Sequence, residues 1–590
     1  MTMYEPLLSI QNLEIAFGPE RTPVIHDLSL RLDRGEIMAL VGESGSGKSV
    51  AVRSVMRLID QQWGYVTGGR ILLASARQEP VDLATLDERH MRRIRGARIA
   101  MIFQDPMTSL NPVLTVGAQL VEAVRQHQLS DDASAKSKAI TMLEKVRITD
   151  PLRRFDQFPH ELSGGMRQRV MIAMALICEP NILIADEPTT ALDVTVQAEI
   201  LALIRSLQQE TDMGVLFITH DMGVVAEIAD RVAVMRHGRI VEEGSVRQVF
   251  DAPAHEYTRK LLDAAPKFRQ ATTTARPTAS AHVPPVLSVS HLSARFPVRS
   301  RILRRHIANL HAVEDVSFDL YPHETVAIIG ESGCGKSSLA KSLLRLIPTQ
   351  EGRALLAGRD LLSLGSQALR AARKDIQMIF QDPYAALDPR MSVRQILSEP
   401  LRISGLAVEE ETLQALVDRV DLPQDSLDRY PHQFSGGQRQ RICIARALIL
   451  RPKVLIADEP VSALDVAIQA QILSLLEDLK RTEDLALLFI SHDMAVVERV
   501  ADRILVMYRG MIVEQGPAQA VLSRPAHPYT RRLLEAVPVS HPAERFTRAA
   551  SPMATAAPVY PLGTTIEPIR WQTVGPNHML RVEDPDLPLH

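Results

Sequence analysis

Gly42-Glu43-Ser44-Gly45-Ser46-Gly47-Lys48-Ser49 stands near the start of the chain, and Gly330-Glu331-Ser332-Gly333-Cys334-Gly335-Lys336-Ser337 repeats it past the middle. Both fit the phosphate-loop pattern. In such a loop the glycines let successive backbone N–H groups point at phosphate oxygens, and the start of the next helix adds its positive end. Lys48 and Lys336 would bridge the β- and γ-phosphates, while Ser49 and Ser337 would hold Mg²⁺. The context fits. The apolar runs Ile37 to Val41 and Thr325 to Ile329 lead into the loops. Val52, Val55, Met56 and Ile59, and likewise Ala340, Leu343, Leu344 and Ile347, follow at i, i+3, i+4, i+7. Strand, glycine loop and sheet-packed helix are therefore expected twice.

Working outward, three more elements follow each loop in one order: Ser-Gly-Gly, Asp-Glu and a histidine. Ser435, Asp458, His492 and Tyr529 each lie 272 residues after Ser163, Asp186, His220 and Tyr257. Repeats of solenoids run to roughly 20–50 residues, so this period is a domain duplication. Uninterrupted runs such as Ile182 to Ala185, Val215 to Ile218, Val454 to Ala457 and Leu487 to Ile490 suit strands buried on both faces of a parallel sheet. The expected fold class is α/β.

Each element has its chemistry. Asp186 and Asp458 end apolar strands, where a carboxylate suits a second contact to Mg²⁺. Glu187 and Glu459 come next and suit a general base that polarises the attacking water. His220 and His492 end later strands and suit a γ-phosphate contact. Gln104 and Gln381 follow Met-Ile-Phe and precede Asp-Pro, where an amide meets both Mg²⁺ and the attacking water. Ser163, Gly164 and Gly165, and again Ser435, Gly436, Gly437 and Gln438, begin helical, arginine-containing sequence and form a second anion site in each half.

Bulk properties set limits. A chain of 590 residues should hold several domains. The net charge of -3 leaves no electrostatic footprint for nucleic acid. No run of about 18 apolar residues exists to span a bilayer. Met1 to Phe17 lacks the basic flank and apolar core of a secretory signal. Three cysteines fit a reducing compartment and no disulfide framework. Cys178 and Cys443 do not occupy equivalent repeat positions and are expected to pack as small apolar side chains. Cys334 lies inside a phosphate loop and reads either as a filler side chain or, because the helix start favours thiolate, as a reactive thiol.

These motifs resemble the ATP-binding subunits of ABC transporters over nearly everything outside a linker and the far tail. The resemblance implies two nucleotide-binding domains, each a phosphate-loop NTPase core with a helical subdomain, at 1–266 and 286–538. A linker at 267–285 and a tail at 539–590 complete the chain, with a short ordered piece expected around Ile569 to Val582. In that family two such domains pair head to tail around two composite ATP sites. One would combine 42–49, Gln104, Asp186, Glu187 and His220 with 435–438. The other would combine 330–337, Gln381, Asp458, Glu459 and His492 with 163–166.

The same resemblance makes Phe17 and Phe296 the aromatics that stack on adenine, and Asp193 and Asp465 the D-loop residues between sites. Met166 departs from the family's usual glutamine. Arg299, Arg301, Arg304 and Arg305 form a basic insertion after Phe296 that reads as a solvated loop.

Ala254-His255-Glu256-Tyr257-Thr258-Arg259 and Ala526-His527-Pro528-Tyr529-Thr530-Arg531 resemble the ends of ATPases from the dipeptide/oligopeptide importer group. This implies cargo such as glutathione or another small peptide, two membrane-spanning permeases, an extracytoplasmic solute-binding protein, and peripheral attachment to the cytoplasmic face of a bacterial inner membrane. The segments after Gln104 and Gln381 would receive the permeases' coupling helices. Many relatives carry a cysteine-rich end that holds an iron–sulfur cluster, but no cysteine follows Cys443. The rival expectation is a tandem ATPase acting on ribosomes or DNA. It is disfavoured by a linker without a long charged run and by too few cysteines for inserted zinc sites.

Overall fold

The computed structural model describes residues 6–547, 558–562, 564 and 570–582, with breaks at 44, 60–62, 75–78, 105–108, 129, 191, 265–282, 300–304, 463 and 465. Ser44, Asp465, Arg301, Arg304 and most of the expected linker thus lie outside the described residues. The chain divides into two compact units. The first comprises Met1–Leu192, Val196–Ala265 and Pro538–Arg548, and the second comprises Asp193–Thr195, Pro266–Val537 and Ala549–His590.

The first unit contains strands β1 (Leu8–Phe17), β2 (Thr22–Leu32), β3 (Ile37–Val41), β4 (Gly64–Leu73), β5 (Val81–Asp82), β6 (Ile99–Ile102), β7 (Ile182–Asp186), β8 (Gly214–Thr219), β9 (Arg231–Arg236) and β10 (Arg239–Ser245). They form a six-stranded sheet in the order β10-β9-β3-β8-β7-β6 and a four-stranded sheet in the order β2-β1-β4-β5. Strands β3, β7 and β8 are buried from end to end, and β6 through β9 run parallel around β3. Burial on both faces explains why they read as unbroken apolar runs. A helical layer (Val116–His127, Asp132–Lys145, Gly164–Leu176) shares a core with the β8 side chain of Phe217.

The helix after the first phosphate loop, Lys48–Val55, buries Ala51, Val52 and Val55. It is shorter than its apolar stripe. Arg57 adopts φ +49°, while its N–H bonds the Ser54 carbonyl and the Leu58 N–H bonds that of Arg53, so Ile59 falls outside. The helix Lys336–Leu343 ends the same way at Arg345, with φ +50°, and leaves Ile347 outside. A left-handed residue is a usual helix stop, but glycine normally marks it. Here an arginine does, which hides the stop.

The second unit contains β11 (Leu287–Arg299), β12 (His306–Leu320), β13 (Thr325–Ile329), β14 (Glu351–Leu356), β15 (Arg359–Asp360), β16 (Ile376–Ile379), β17 (Val454–Asp458), β18 (Ala486–Ile490), β19 (Arg503–Tyr508), β20 (Met511–Pro517), β21 (Val559–Pro561), β22 (Arg570–Gly575) and β23 (His578–Val582). The same plan recurs, enlarged by the tail. The larger sheet runs β16-β17-β18-β13-β19-β20-β23-β22 and the smaller β15-β14-β11-β12-β21. The β22–β23 hairpin is the ordered piece expected near the end, with Ile569 outside the described residues. It is pinned by His578, whose Nε2 lies 2.7 Å from the fully buried Glu514 carboxylate.

In the first unit, Pro538–Arg548 is held by Arg545, which donates to the carbonyls of Val225, Ala226 and Ala229 at the end of the helix Met222–Ile228. A cation suits that helix end. Among the described residues no helix is long and apolar enough to cross a membrane.

Candidate active site

Both phosphate loops join a buried central strand to a helix start, and close backbone approach explains their glycines. At Gly42 (φ +155°) a Cβ would sit 2.2 Å from the Met235 carbonyl oxygen, and at Gly330 (φ +154°) 2.3 Å from that of Met507. Gly47 and Gly335 take φ +102° and +116° immediately before the helices. A side chain is excluded at each by space and by backbone conformation. The buried Lys48 donates to the carbonyls of Gly42 and Glu43 at 2.7 and 2.8 Å, and Lys336 to those of Gly330 and Glu331 at 2.7 and 2.9 Å. Each ammonium is thus arched back over its loop, within the cradle where phosphates bind.

The paired Asp and Ser side chains meet. Ser49 Oγ donates to Asp186 Oδ1 at 2.9 Å, and Ser337 Oγ to Asp458 Oδ1 at 3.0 Å. Burial pushes both aspartates above the ordinary carboxyl range, against the hydrogen bonds from the serines. Asp186 Oδ2 accepts no hydrogen bond. Arg53 Nη2 lies 3.8 Å from that oxygen, and the buried carboxylate beside a hydroxyl is a hard, oxygen-only donor set of the kind Mg²⁺ prefers.

Glu187 and Glu459 organise the remaining groups. The Oε1 atom of Glu187 lies 3.2 Å from His220 Nδ1, and its Oε2 accepts from Gln104 Nε2 at 2.9 Å and Thr190 Oγ1 at 3.0 Å. Glu459 repeats the arrangement with His492 at 3.2 Å and Gln381 at 2.8 Å, but Ser462 bonds its backbone carbonyl instead of its carboxylate. Both glutamates adopt left-handed backbone, φ +49° and +48°, held by N–H bonds to the Ile218 and Ile490 carbonyls. Such conformations are costly for a side-chain-bearing residue and cluster at functional sites.

The electrostatics agree within each pair. Burial opposes the charge on Glu187 and Glu459, but the hydrogen bond and charge of His220 and His492 outweigh it, and both carboxyls fall below their ordinary value. Burial likewise opposes charge on the histidines, and the glutamates outweigh it, so both are raised. The glutamate contribution is present above about pH 4.5 and fades as pH falls through the lowered value. The histidine contribution is present below about pH 6.5 and is lost as pH rises through the raised value. The ion pair therefore spans the interval between. In an NMR titration His220 should titrate above the free-histidine value. Glu187→Gln should bring it down and leave His492 unmoved, and a His220 titration indifferent to that change would eliminate the ion pair.

Ser163 and Ser435 cap the helices Gly164–Leu176 and Gly436–Leu448, accepting from the N–H groups of Met166 and Gln438. Gln438 returns the bond, its Oε1 accepting from the Ser435 N–H at 3.0 Å, which completes a capping box. Met166 has no group to do so, and that helix start carries no capping box. Phe17 and Phe296 are half-buried and sit at matching strand positions, paired with Thr22 and Leu310. Asp193 accepts from Thr195 Oγ1 at 2.7 Å, its counterpart Asp465 being outside the described residues.

Two features were not visible in the sequence. Tyr257 Oη accepts the Glu43 N–H at 3.0 Å, and Tyr529 Oη accepts that of Glu331 at 2.9 Å. The importer-like ends are thus braces on the phosphate loops. Each tyrosine is set by its neighbours: His255 and His527 accept the tyrosine N–H, and Glu242 and Glu514 accept the N–H groups of Ala254 and His255, and of Ala526 and His527. The constant spacing of 272 residues was the available signal.

The second feature decides between two readings of one loop residue. Cys334 is fully buried, and burial pushes its thiol up despite Lys336, whose Nζ is 4.0 Å from Sγ. It takes the place of Ser46, which lies 3.5 Å from Lys48 Nζ, and is a packed loop residue instead of a reactive thiolate. Cys178 and Cys443 are buried as well. Native protein should therefore show no fast maleimide-reactive thiol, and all three should react after unfolding. Fast native labelling of Cys334 would contradict this.

Comparison with known proteins follows the same lines. The family model described as ABC transporter matches residues 25–190 and 313–462, and that described as the oligopeptide/dipeptide transporter C-terminal region matches 241–296 and 513–559. The glutathione import ATP-binding protein of Salmonella choleraesuis is 51% identical, over 97% of this chain and 96% of its own. The proteins of the same name from Pectobacterium atrosepticum (51%, over 91% and 90%) and Escherichia coli (50%, over 97% and 96%) are similar to it in the same way. With a phosphate loop, an Asp-Glu pair and a histidine assembled in each half, the chain belongs to the ABC transporter family as a tandem ATP-hydrolysing protein.

Proposed function

We propose that this chain is the ATPase subunit of a bacterial importer for glutathione or related small peptides. It would work at the cytoplasmic face of the inner membrane with two permeases and a solute-binding protein. The observation that carries the reading is the peptide-transporter C-terminal region bonded to each phosphate loop through Tyr257 and Tyr529. The names of relatives at 50–51% identity support the cargo. Both favour import over action on ribosomes or DNA.

The two cassettes are taken as 1–266 and 286–538, joined by 267–285 and followed by the tail 539–590. Lys48 and Lys336 neutralise the β- and γ-phosphates, and Phe17 and Phe296 carry the base. Ser49 with Asp186, and Ser337 with Asp458, would hold Mg²⁺, joined by Gln104 and Gln381, and the ion supplies charge neutralisation at the phosphates. Glu187 and Glu459, held ionised, accept a hydrogen bond from the attacking water and orient it. His220 and His492, each set by its glutamate through Nδ1, contact the γ-phosphate. The Ser-Gly-Gly segment of each cassette completes the ATP site of the other, so that binding of two ATPs closes the pair and hydrolysis reopens it.

The helical segments after Gln104 and Gln381, up to about His160 and His432, would receive the permeases' coupling helices. In the second unit a hollow of about 360 Å³ there is lined by Phe380, Pro400, Ile403 and Arg446, and Phe380 and Ile403 are exposed. Exposed apolar side chains around a hollow suit an incoming helix. The test is reconstitution with candidate permeases and a solute-binding protein from the same genome. Glutathione-loaded binding protein should stimulate ATP hydrolysis several-fold. Stimulation by other small peptides alone would move the cargo within the class, and stimulation by no peptide would overturn the importer reading.

A further inference from the structure

The two base platforms are not equal. In the first unit Phe17 pairs with the exposed Thr22 on β2, which is the edge of its sheet. In the second unit the edge is extended by β21 from the far tail. Phe296 pairs with Leu310, and Leu310 pairs on its other side with Val559. Residues directly paired across antiparallel strands point to the same face. Phe296, Leu310 and Val559 therefore form one apolar row across three strands, and Val559 is 54% exposed.

The strand that carries Val559 is fastened from the opposite face. The His311 N–H donates to the Pro558 carbonyl at 3.1 Å, and Tyr560 packs edge-on against the buried His311 ring at 4.8 Å. His311 Nδ1 itself lies 2.8 Å from a Glu314 carboxylate oxygen. The row is also at a suitable distance from the phosphates. The Ala312 carbonyl abuts Gly335, where a Cβ would lie 2.0 Å from its oxygen. Leu310 is two residues further along the strand, or roughly 7 Å away.

We infer that Val559 is a further base-contacting residue of the second ATP site, so that the C-terminal strand gives that site an apolar wall for adenine that no described strand gives the first. This rests on the assignment of Phe296 to the base. Its consequence is unequal affinity: at the second site the base contributes more to binding.

The experiment is photolabelling of the full chain with azido-ATP, each half being separated by cleavage at a protease site placed in 267–282. Val559→Ser should raise the half-saturating concentration of the second half about five-fold, the effect of uncovering part of one apolar side chain. The first half should not change. Val559→Leu should preserve affinity, and Tyr560→Ala should reproduce the loss by releasing the strand. Competition by tripolyphosphate, which has no base, should be unaltered by Val559→Ser. If Phe296→Ala weakens the second half but Val559→Ser does not, the inference is overturned and the Phe296 assignment stands. If neither variant matters, both are overturned. An equal loss of tripolyphosphate competition would mean general disruption and would also overturn it.

Discussion

Glu187→Gln and Glu459→Gln should each retain ATP binding and lower hydrolysis steeply, since a positioned general base contributes roughly 10²–10⁴-fold. The geometry gives the reason. Each carboxylate is the shared acceptor of an imidazole and a glutamine amide, and it is held ionised in spite of burial. Glutamine keeps the shape and the left-handed backbone but presents one oxygen where two are used. The water loses its acceptor, and the histidine loses the charge that raised its pKa. Lys48, Lys336 and the loop amides are untouched, so nucleotide affinity should persist and a closed, ATP-loaded form should accumulate. The measurement is steady-state phosphate release alongside equilibrium nucleotide binding. Near wild-type turnover in both single variants would remove these glutamates as the base.

Legibility of this chain follows burial and repetition. β3, β7, β8 and their counterparts β13, β17 and β18 could be located because strands covered on both faces tolerate only apolar residues, and chemistry was expected where those runs ended. The Asp–Ser, Glu–His and Glu–Gln pairings join residues whose roles were read separately from the sequence, and residue order alone did not state them. The helix ends did not show, because arginines at 57 and 345 occupy left-handed positions that glycine usually marks. The strained conformation of Glu187 and Glu459 was equally silent, since it is imposed by N–H bonds to Ile218 and Ile490 on the neighbouring strand.

Long-range partners were hardest to see. Tyr257 is 214 residues from the Glu43 N–H it accepts, and Val559 joins β12 from beyond the second cassette. For Cys334 burial favours the filler reading over the reactive one. A helix start favours thiolate only where the sulfur is solvated enough to bear charge, and full burial reverses the balance.

Ser435→Arg should abolish the closed, ATP-trapped state of the site built on Lys48 while leaving the Lys336 loop able to bind nucleotide, and Ser163→Arg should do the converse. In the structure each serine caps its helix and leads the first N–H groups of that helix, an arrangement suited to a phosphate. The hydrogen bonds each serine accepts come from its own helix start and not from its own half's Lys–Asp–Glu–His cluster. If the family's head-to-tail pairing holds here, the anion served by Ser435 is the γ-phosphate in the first cassette. A guanidinium-bearing side chain there would fill the space into which the two cassettes must close, and loss of the closed state should approach completeness. The readout is vanadate-trapped, azido-labelled nucleotide assigned to each half after cleavage in 267–282, in Ser435→Arg, Ser163→Arg and the double variant. Loss confined to the half that carries the substitution would mean two independent ATPases on one chain. Closure would then have no means of acting on a permease through both sites at once.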